Sequence, residues 1–293
     1  MKRVLDIIIV TCNNEQFLGP CVLSIINTGI LSSIANLIIV NNGKQDLKQL
    51  YGHLPEIKII DAGENLGWER GLQKALDISE APFGVFQNDD TQIPQSSVFF
   101  YQQMLSNFID EKMAAVGPIT TVASGLQSIY NPYSPKFTQE AMYLIFFTVM
   151  LKRKAIDEVG GIDVNLPGGD DFDLCIRLKK AGYKLLIDPH SFIIHHAFVT
   201  GTKEFGDHTV DGGWNSPKRT NKALIHKHGF RNWLTTIRGD ISYKKLEAED
   251  FEGDIIRRHL NGDKQVLELG CGAKKTVPNA IGVDRIEKGA PIP

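Results

Sequence analysis

The chain has 293 residues, 42% hydrophobic and 23% charged, enough for about two domains at roughly 150 residues each. This composition excludes a disordered, collagen-like or coiled-coil chain. The balance of 32 Lys+Arg against 34 Asp+Glu, a formal net charge of -2, gives no global attraction to nucleic acid. Four cysteines, Cys12, Cys21, Cys175 and Cys271, form no C-x-x-C pair, which argues against a zinc ribbon or a disulfide framework and points to the reducing cytoplasm. Asp6 interrupts the N-terminal apolar stretch, so that stretch reads as a core strand and not as a signal peptide. The longest mainly apolar run, Ala141 to Leu151, has 11 residues, about half of the ~20 that a membrane span needs. No integral membrane segment is predicted.

The first half alternates short apolar runs with helical periodicity, as a mostly parallel sheet flanked by helices requires. Leu5 to Thr11 is predicted as the first strand. Asn13 and Asn14 open a loop, Pro20 suits a first helical turn, Leu23, Ile26 and Ile30 continue one apolar stripe, and Gly29 is read as a helix stop. Strands follow at Leu37 to Val40 and Ile57 to Ile60, a helix at Leu66 to Ile78, and a strand at Phe83 to Gln87 that runs into Asn88-Asp89-Asp90. Ligands bind such sheets at the carboxyl ends of the strands, where Asn13, Asn41, Asn65 and Asp90 would converge. In the second half Met142 to Leu151 reads as a buried strand, Arg153 to Val159 as a helix, Gly160 to Gly169 as a glycine-rich loop and Asp170 to Ala181 as a helix. Lys184 to Ile187 and Phe192 to His195 read as two short strands. Residues 236 to 264 read as a linker or surface helix, and Gln265 to Leu269 begins a new strand.

Two clusters suggest chemistry. Asn88-Asp89-Asp90 at a strand end is a hard-oxygen turn suited to Mg²⁺ or Mn²⁺ with phosphate co-ligands, or simply a turn. Gly168-Gly169-Asp170-Asp171-Phe172-Asp173 feeds three carboxylates into one helical turn, more than capping needs. At ~100° per residue Asp170 and Asp173 share a face and Asp171 points elsewhere, and an ionised Asp accepts a proton. His195 and His196 end a strand, so their side chains face opposite ways.

The segments Ile7 to Asn13, Ile38 to Gly43, Asn65-Leu66-Gly67-Trp68, Asn88 to Thr91, Gly160 to Asp163 and Asp170 to Arg177, followed by His195, together resemble family 2 glycosyltransferases of the GT-A fold, most closely the rhamnosyltransferase-like branch. The resemblance spans roughly residues 4 to 235. It implies an α/β fold with a mixed, mostly parallel central sheet, and an inverting, hexosyltransferase-like transfer from a nucleotide-diphosphate sugar to a glycan, lipid-linked or protein acceptor. Position by position it places Thr11, Asn13, Asn41, Asn65, Gly67, Trp68, Asn88 and Asp89 at the nucleotide sugar, with Asn41 and Asn88 standing where relatives usually carry acids. It assigns Asp90 and His195 to a divalent metal, with His196 as the alternative to His195, and Asp171 to the catalytic base, with Asp170 as runner-up. Arg177 is read as a structural partner of the carboxylates. A basic stretch from Trp214 to Gly229, with Lys218, Arg219, Lys227 and His228, reads as an acceptor-side or diphosphate-side helix, or simply as a solvated face; with a lipid-linked acceptor the same surface would make peripheral membrane contact.

Val266 to Gly272 is a strand entering a Gly-x-Gly turn, and Ile281 to Asp284 is a next strand ending in an acid. This pattern resembles the opening of a class I S-adenosylmethionine-dependent methyltransferase. The expected organisation is therefore a catalytic domain over 1–235, a linker over 236–264, and over 265–293 the truncated start of a methyltransferase-like domain, as in the front part of a bifunctional polypeptide. The competing reading is a non-catalytic nucleotide-sugar-binding module or a scaffold attached to a methyltransferase.

Overall fold

The computed structural model describes residues 3–197, 217–237, 267–269 and 281–283. In chain order the elements are β1 (Leu5–Thr11), α1 (Glu15–Asn27), α2 (Ile30–Ser33), β2 (Ala35–Asn41), α3 (Leu47–Tyr51), β3 (Ile57–Asp61), α4 (Trp68–Leu76), β4 (Phe83–Gln87) and β5 (Thr91–Gln92). There follow α5 (Phe100–Leu105), β6 (Met113–Thr120), β7 (Gln139–Ala141), β8 (Thr148–Lys152), α6 (Arg153–Glu158), α7 (Asp170–Lys180), β9 (Lys184–His195), α8 (Pro217–His228) and α9 (Phe230–Ile237). The strands β10 (Leu267–Leu269) and β11 (Ile281–Val283) close the series. The chain divides into two units, Met1–Asp240 and Ile241–Pro293. In the second unit β10 and β11 pair in parallel.

Every residue of β1 is buried, as in a strand covered on both faces by helices; Ile7 to Val10 are apolar, and the buried Asp6 carboxylate is satisfied by Asn36, Ser79 and the Ala81 N–H. Parallel pairing places β2 on one side of β1 and β4 on the other, and β3 extends the β2 edge. The sheet then runs β3-β2-β1-β4-β8-β6-β9-β5, with β7 also on β9. β8 is antiparallel to both β4 and β6, β9 is parallel to β6, and β5 and β7 run against β9. Of these nine strands only β5, β7 and β8 therefore run against the majority. Two apolar clusters lie on opposite faces. One joins Ile8, Val10, Ile38 and Phe86 to Leu72, Ala75, Leu174 and Leu178 of α4 and α7. The other joins Ile7, Ile9, Leu37 and Val85 to Leu18, Ile25, Phe100 and Met104 of α1 and α5. Among the described residues no helix is long and apolar enough to cross a membrane.

Several expectations are corrected. Pro20 lies inside α1, which starts five residues earlier at Glu15. Leu23 and Ile26 are 57% and 37% exposed, and the buried stripe is Leu18, Cys21, Val22 and Ile25. The apolar run from Met142 is not one strand: residues 142–147 form a buried connection between β7 and β8. Its backbone amides are met by side chains, Ile145 N–H donating to Gln127 Oε1 at 2.6 Å and Leu144 N–H to Cys175 Sγ at 3.3 Å, so burial needs no ladder there. The two short strands before His195 are one 12-residue strand, β9. Its pairing with β6 shifts register between Pro118 and Ile119, and the buried Asp188 carboxylate fills the irregularity by accepting from His190 N–H and Ser191 Oγ. The 236–264 linker lies outside the described residues, apart from Thr236 and Ile237 at the end of α9.

Gly71 fixes how closely α4 approaches the sheet, since a Cβ there would meet Val10 Cγ1 at 2.7 Å. A helical Gly→Ala change normally stabilises, but Val10 is stiff at χ1 and buried. Gly71→Ala will therefore destabilise the protein by about 1–3 kcal/mol in urea unfolding, and adding Val10→Ala will restore part of that loss.

Candidate active site

The order β3-β2-β1-β4 reverses direction at β1, and a crevice opens between the carboxyl ends of β1 and β4. Hydrogen bonds tie this rim together. Thr11 Oγ1 donates to Asp89 Oδ2 at 2.7 Å and accepts from Gln45 Nε2 at 3.2 Å. Asn13, left-handed at φ 49, accepts from Lys44 N–H at 2.8 Å and hooks the loop after β2. Asn41 donates to Gln45 O and Asp61 Oδ1 and accepts from Gly43 N–H, so its amide shapes the pocket wall. Lys48 in turn holds Asp61 below the usual carboxylate range. Asn42 donates to Gly67 O at 2.9 Å, and Asn65 Oδ1 accepts from Gly67 N–H at 3.0 Å. Among the described residues, four buried polar atoms on this rim have no hydrogen-bond partner: Asn14 Nδ2, Asn42 Oδ1, Gln45 Oε1 and Asp90 Oδ1. Such atoms are rare in folded proteins, and a polar ligand seated here would satisfy them.

At the tip of β4, Asp90 is 5% exposed and its Oδ1 lies 3.4 Å from His195 Nε2. Asn88 Nδ2 faces the same ring nitrogen at 3.4 Å. The other ring nitrogen, Nδ1, lies 2.7 Å from Val122 O. A carbonyl only accepts, so Nδ1 carries a proton and a neutral His195 turns the Nε2 lone pair toward Asp90. Phe147 stacks on the ring with centroids 5.2 Å apart. His196 turns the other way, onto Phe17, so of the two histidines it is His195 that faces Asp90. An unpartnered carboxylate oxygen opposite a lone pair is a donor set that fits a divalent cation. Among the described residues no three His, Cys, Asp or Glu side chains converge on one point, so the remaining positions would fall to phosphate oxygens or water.

The three aspartates of α7 enter three environments. Asp170 Oδ2 accepts from Trp68 Nε1 at 3.0 Å, which joins the acid turn to the loop at the start of α4 across 102 residues of sequence. Asp171 Oδ1 accepts from Phe172 N–H at 2.7 Å. Burial pushes the Asp171 carboxyl up to about 7. Burial, reinforced by the charges of Asp171 and Glu69, pushes Asp170 well above the usual range. Burial also raises Glu69. Both carboxyls of the pair are thus raised, and Asp171, at about 7, ionises near neutrality, which suits it to take a proton.

Asp173 does not share a site with Asp170. It is fully buried, and although burial raises its pKa, Lys227, Arg177 and His228 outweigh that and hold it low. Arg177 grips Oδ2 at 2.9 and 2.7 Å, while Lys227 and His228 of α8 reach Oδ1 at 2.6 and 2.7 Å. Lys227 also bridges to Asp163 at 2.5 Å. A Cβ at Gly169 would meet Thr220 at 2.6 Å, so α8 sits directly on the loop that precedes the acid pair. Glu69, Gln45 and the Val122 carbonyl escaped the sequence reading; only Glu69, an acid in the first turn after Trp68, left a signal.

This crevice and its strand order define a GT-A-like glycosyltransferase fold. Mannosyltransferase PcManGT from Pyrobaculum calidifontis, solved with GDP-Man and Mn²⁺, superposes with a TM-score of 0.57 at 14% identity over 85% of this chain and 76% of that chain. GalNAc-T7, solved with UDP, GalNAc and Mn²⁺, does so with a TM-score of 0.56 at 14% identity over 66% of this chain and 43% of that chain. The Glycosyl transferase family 2 profile matches residues 6–162, more than half of the chain, and the chain belongs to that family. An uncharacterised protein of Mycobacterium tuberculosis is 25% identical over 207 residues, 66% of this chain and 75% of that protein. The pre-mycofactocin glycosyltransferase of the same species is 23% identical over 155 residues, 45% of this chain and 33% of that protein.

The raised Asp171 carboxyl has a stability consequence. Its folded pKa of about 7 exceeds the unfolded value of about 3.9, so this group's contribution to stability, full below pH ~4, is lost as pH rises through 7. Asp171→Asn will therefore melt above wild type at pH 8, and the difference will close at pH 4 in differential scanning calorimetry.

Proposed function

We propose that the first unit is an inverting glycosyltransferase, of the rhamnosyltransferase-like branch, that moves a sugar from a nucleotide-diphosphate donor to an acceptor hydroxyl with Mn²⁺ or Mg²⁺ bound. The observation that carries this reading is the buried, unpartnered Asp90 Oδ1 opposite the His195 Nε2 lone pair, at the tip of the strand beside the switch point. Asp90 and His195 would hold the cation. When bound, it supplies charge neutralisation for the departing nucleoside diphosphate.

The chain's own groups do the rest. The unpartnered Asn14, Asn42 and Gln45 atoms bind the nucleotide, on a wall that Thr11, Asn13, Asn41 and Asp89 hold in shape. Trp68 and Asn65, with Gly67 at φ 78, form the loop beside the donor sugar. Trp68 holds Asp170 by hydrogen bond, and Asp171 takes the proton from the acceptor hydroxyl as that oxygen attacks the anomeric carbon on the face opposite the leaving group, which inverts the configuration. The acceptor is a glycan, a lipid-linked sugar or a protein, and the setting is cytoplasmic.

A panel of nucleotide sugars, screened for binding with and without Mn²⁺, tests the reading, and loss of all binding would refute it. Asp171→Asn should lower turnover by roughly 10²–10⁴ while nucleoside-diphosphate binding stays near wild type. Asp90→Asn should abolish the Mn²⁺-dependent part of that binding. Turnover in wild type should rise with pH through about 7 as Asp171 loses its proton. Unchanged turnover in a chelator would remove the cation from the scheme.

For the second unit, the parallel pairing of Leu267–Leu269 with Ile281–Val283 favours the start of a methyltransferase-like sheet, making the protein part of a bifunctional glycosyltransferase-methyltransferase.

A further inference from the structure

The helices α8 and α9 lie beyond the residues that the family profile matches. Residues 217–237 contain five Lys or Arg and no Asp or Glu, in a chain whose net charge is -2. The inner side of this pair is accounted for: Leu224 and His228 are buried, and Lys227 and His228 bind Asp173. The outer side is not. Arg219, Lys222 and His226 are exposed and recur at i, i+3 and i+7, the spacing of one helical face. Past the turn at Gly229, α9 continues with exposed Arg231 and with Phe230, 60% exposed and tilted against Trp233 with ring centroids 5.7 Å apart. Among the described residues Lys222 and Arg231 form no ion pair, and Arg219 makes only a 3.4 Å contact to Pro167 O.

We propose that the outer face of α8 and α9 docks on an anionic lipid surface, with Arg219, Lys222 and Arg231 at the headgroups and Phe230 inserted at the acyl boundary. Charge complementarity argues for the occupant. Basic residues beside an exposed aromatic, with no acid in the segment, are the composition of helices that lie in a bilayer interface. A nucleic acid would meet the same charges and could stack a base on Phe230, but the chain's formal net charge of -2 gives it no global attraction, and RNA binding is an outcome of the test below. The consequence for catalysis, which rests on the function proposed above, is that the acceptor is membrane-held. The helix that docks is the one locked to Asp173 and packed on Gly169, two residues before Asp171, which ties the docking face to the helix that carries the base.

The test is flotation of the full chain with phosphatidylcholine vesicles, with and without phosphatidylglycerol, at low and at physiological salt. The wild type should float only with phosphatidylglycerol, and less at higher salt. Each charge removed should weaken binding on the order of fivefold, so Lys222→Glu/Arg231→Glu should leave little. Phe230→Ser should weaken binding at both salt concentrations. All variants should keep the circular dichroism spectrum and the Mn²⁺-dependent nucleoside-diphosphate binding of wild type. Failure to float with anionic vesicles, equal flotation with neutral ones, wild-type flotation by the double variant, or binding of RNA in preference to vesicles would each overturn the proposal. Flotation without nucleotide binding would leave the docking face standing and sink the transfer reading alone.

Discussion

The hydrogen bond from Thr11 to Asp89, 2.7 Å long between residues 78 apart in sequence, joins the tips of β1 and β4 on the floor of the crevice. The constraint behind it is the central place of β1. A strand paired in parallel on both sides, and buried on both faces, carries its polar groups near its ends, here Asp6 at one and Thr11 at the other. The chain turns away from β1 in both directions there, so polar side chains collect above the same point. Asp89 then secures the turn in which Asp90 meets His195, and Thr11 secures the Gln45 loop. Loss of this one contact would loosen the nucleotide wall and the acidic turn together.

The acid turn of α7 shows charge managed in two ways. Asp173 is buried but surrounded by Arg177, Lys227 and His228, and a buried carboxylate with such partners stays ionised. Among the described residues no cation pairs with Asp170 or Asp171, and burial raises both. The contrast suits a helix that must be held firmly and yet carry a carboxylate with a high proton affinity. Asp173 anchors the helix through α8, and the acid pair accepts a stability cost at the crevice. Proteins commonly concede stability at such places.

The strands from β1 to β4 were legible because continuous apolar runs ending in Asn, Asp and Gly have few other readings. The rim they build was legible for the same reason. The α1 stripe was misread because the position of Pro20 suggested a later helix start, and the phase of the buried face moved with it. Residues 142–147 carried a strand's composition, but Gln127 and Cys175 satisfy backbone groups that a ladder would otherwise pair, and no local pattern encodes a partner so distant. The separation of Asp170 from Asp173 was equally hidden, since it depends on α8 returning to α7, His228 meeting Asp173 across 55 residues of sequence. Asn41 was placed at the nucleotide sugar by resemblance; its bonds to Gln45, Asp61 and Gly43 become visible only when the tips of β2 and β3 are placed side by side.

The grip on His195 is exerted by the main-chain oxygen of Val122, which is the same in every amino acid. Position 122 can therefore change its side chain through evolution without altering which nitrogen of the imidazole bears hydrogen, whereas Thr121, whose hydroxyl holds the His195 main chain, and Gln127, which holds Ile145, cannot change so freely. Diversification of the exposed part of the connection after β6, where Tyr130 and Phe137 are each 77% exposed, is in this way uncoupled from the chemistry beneath it.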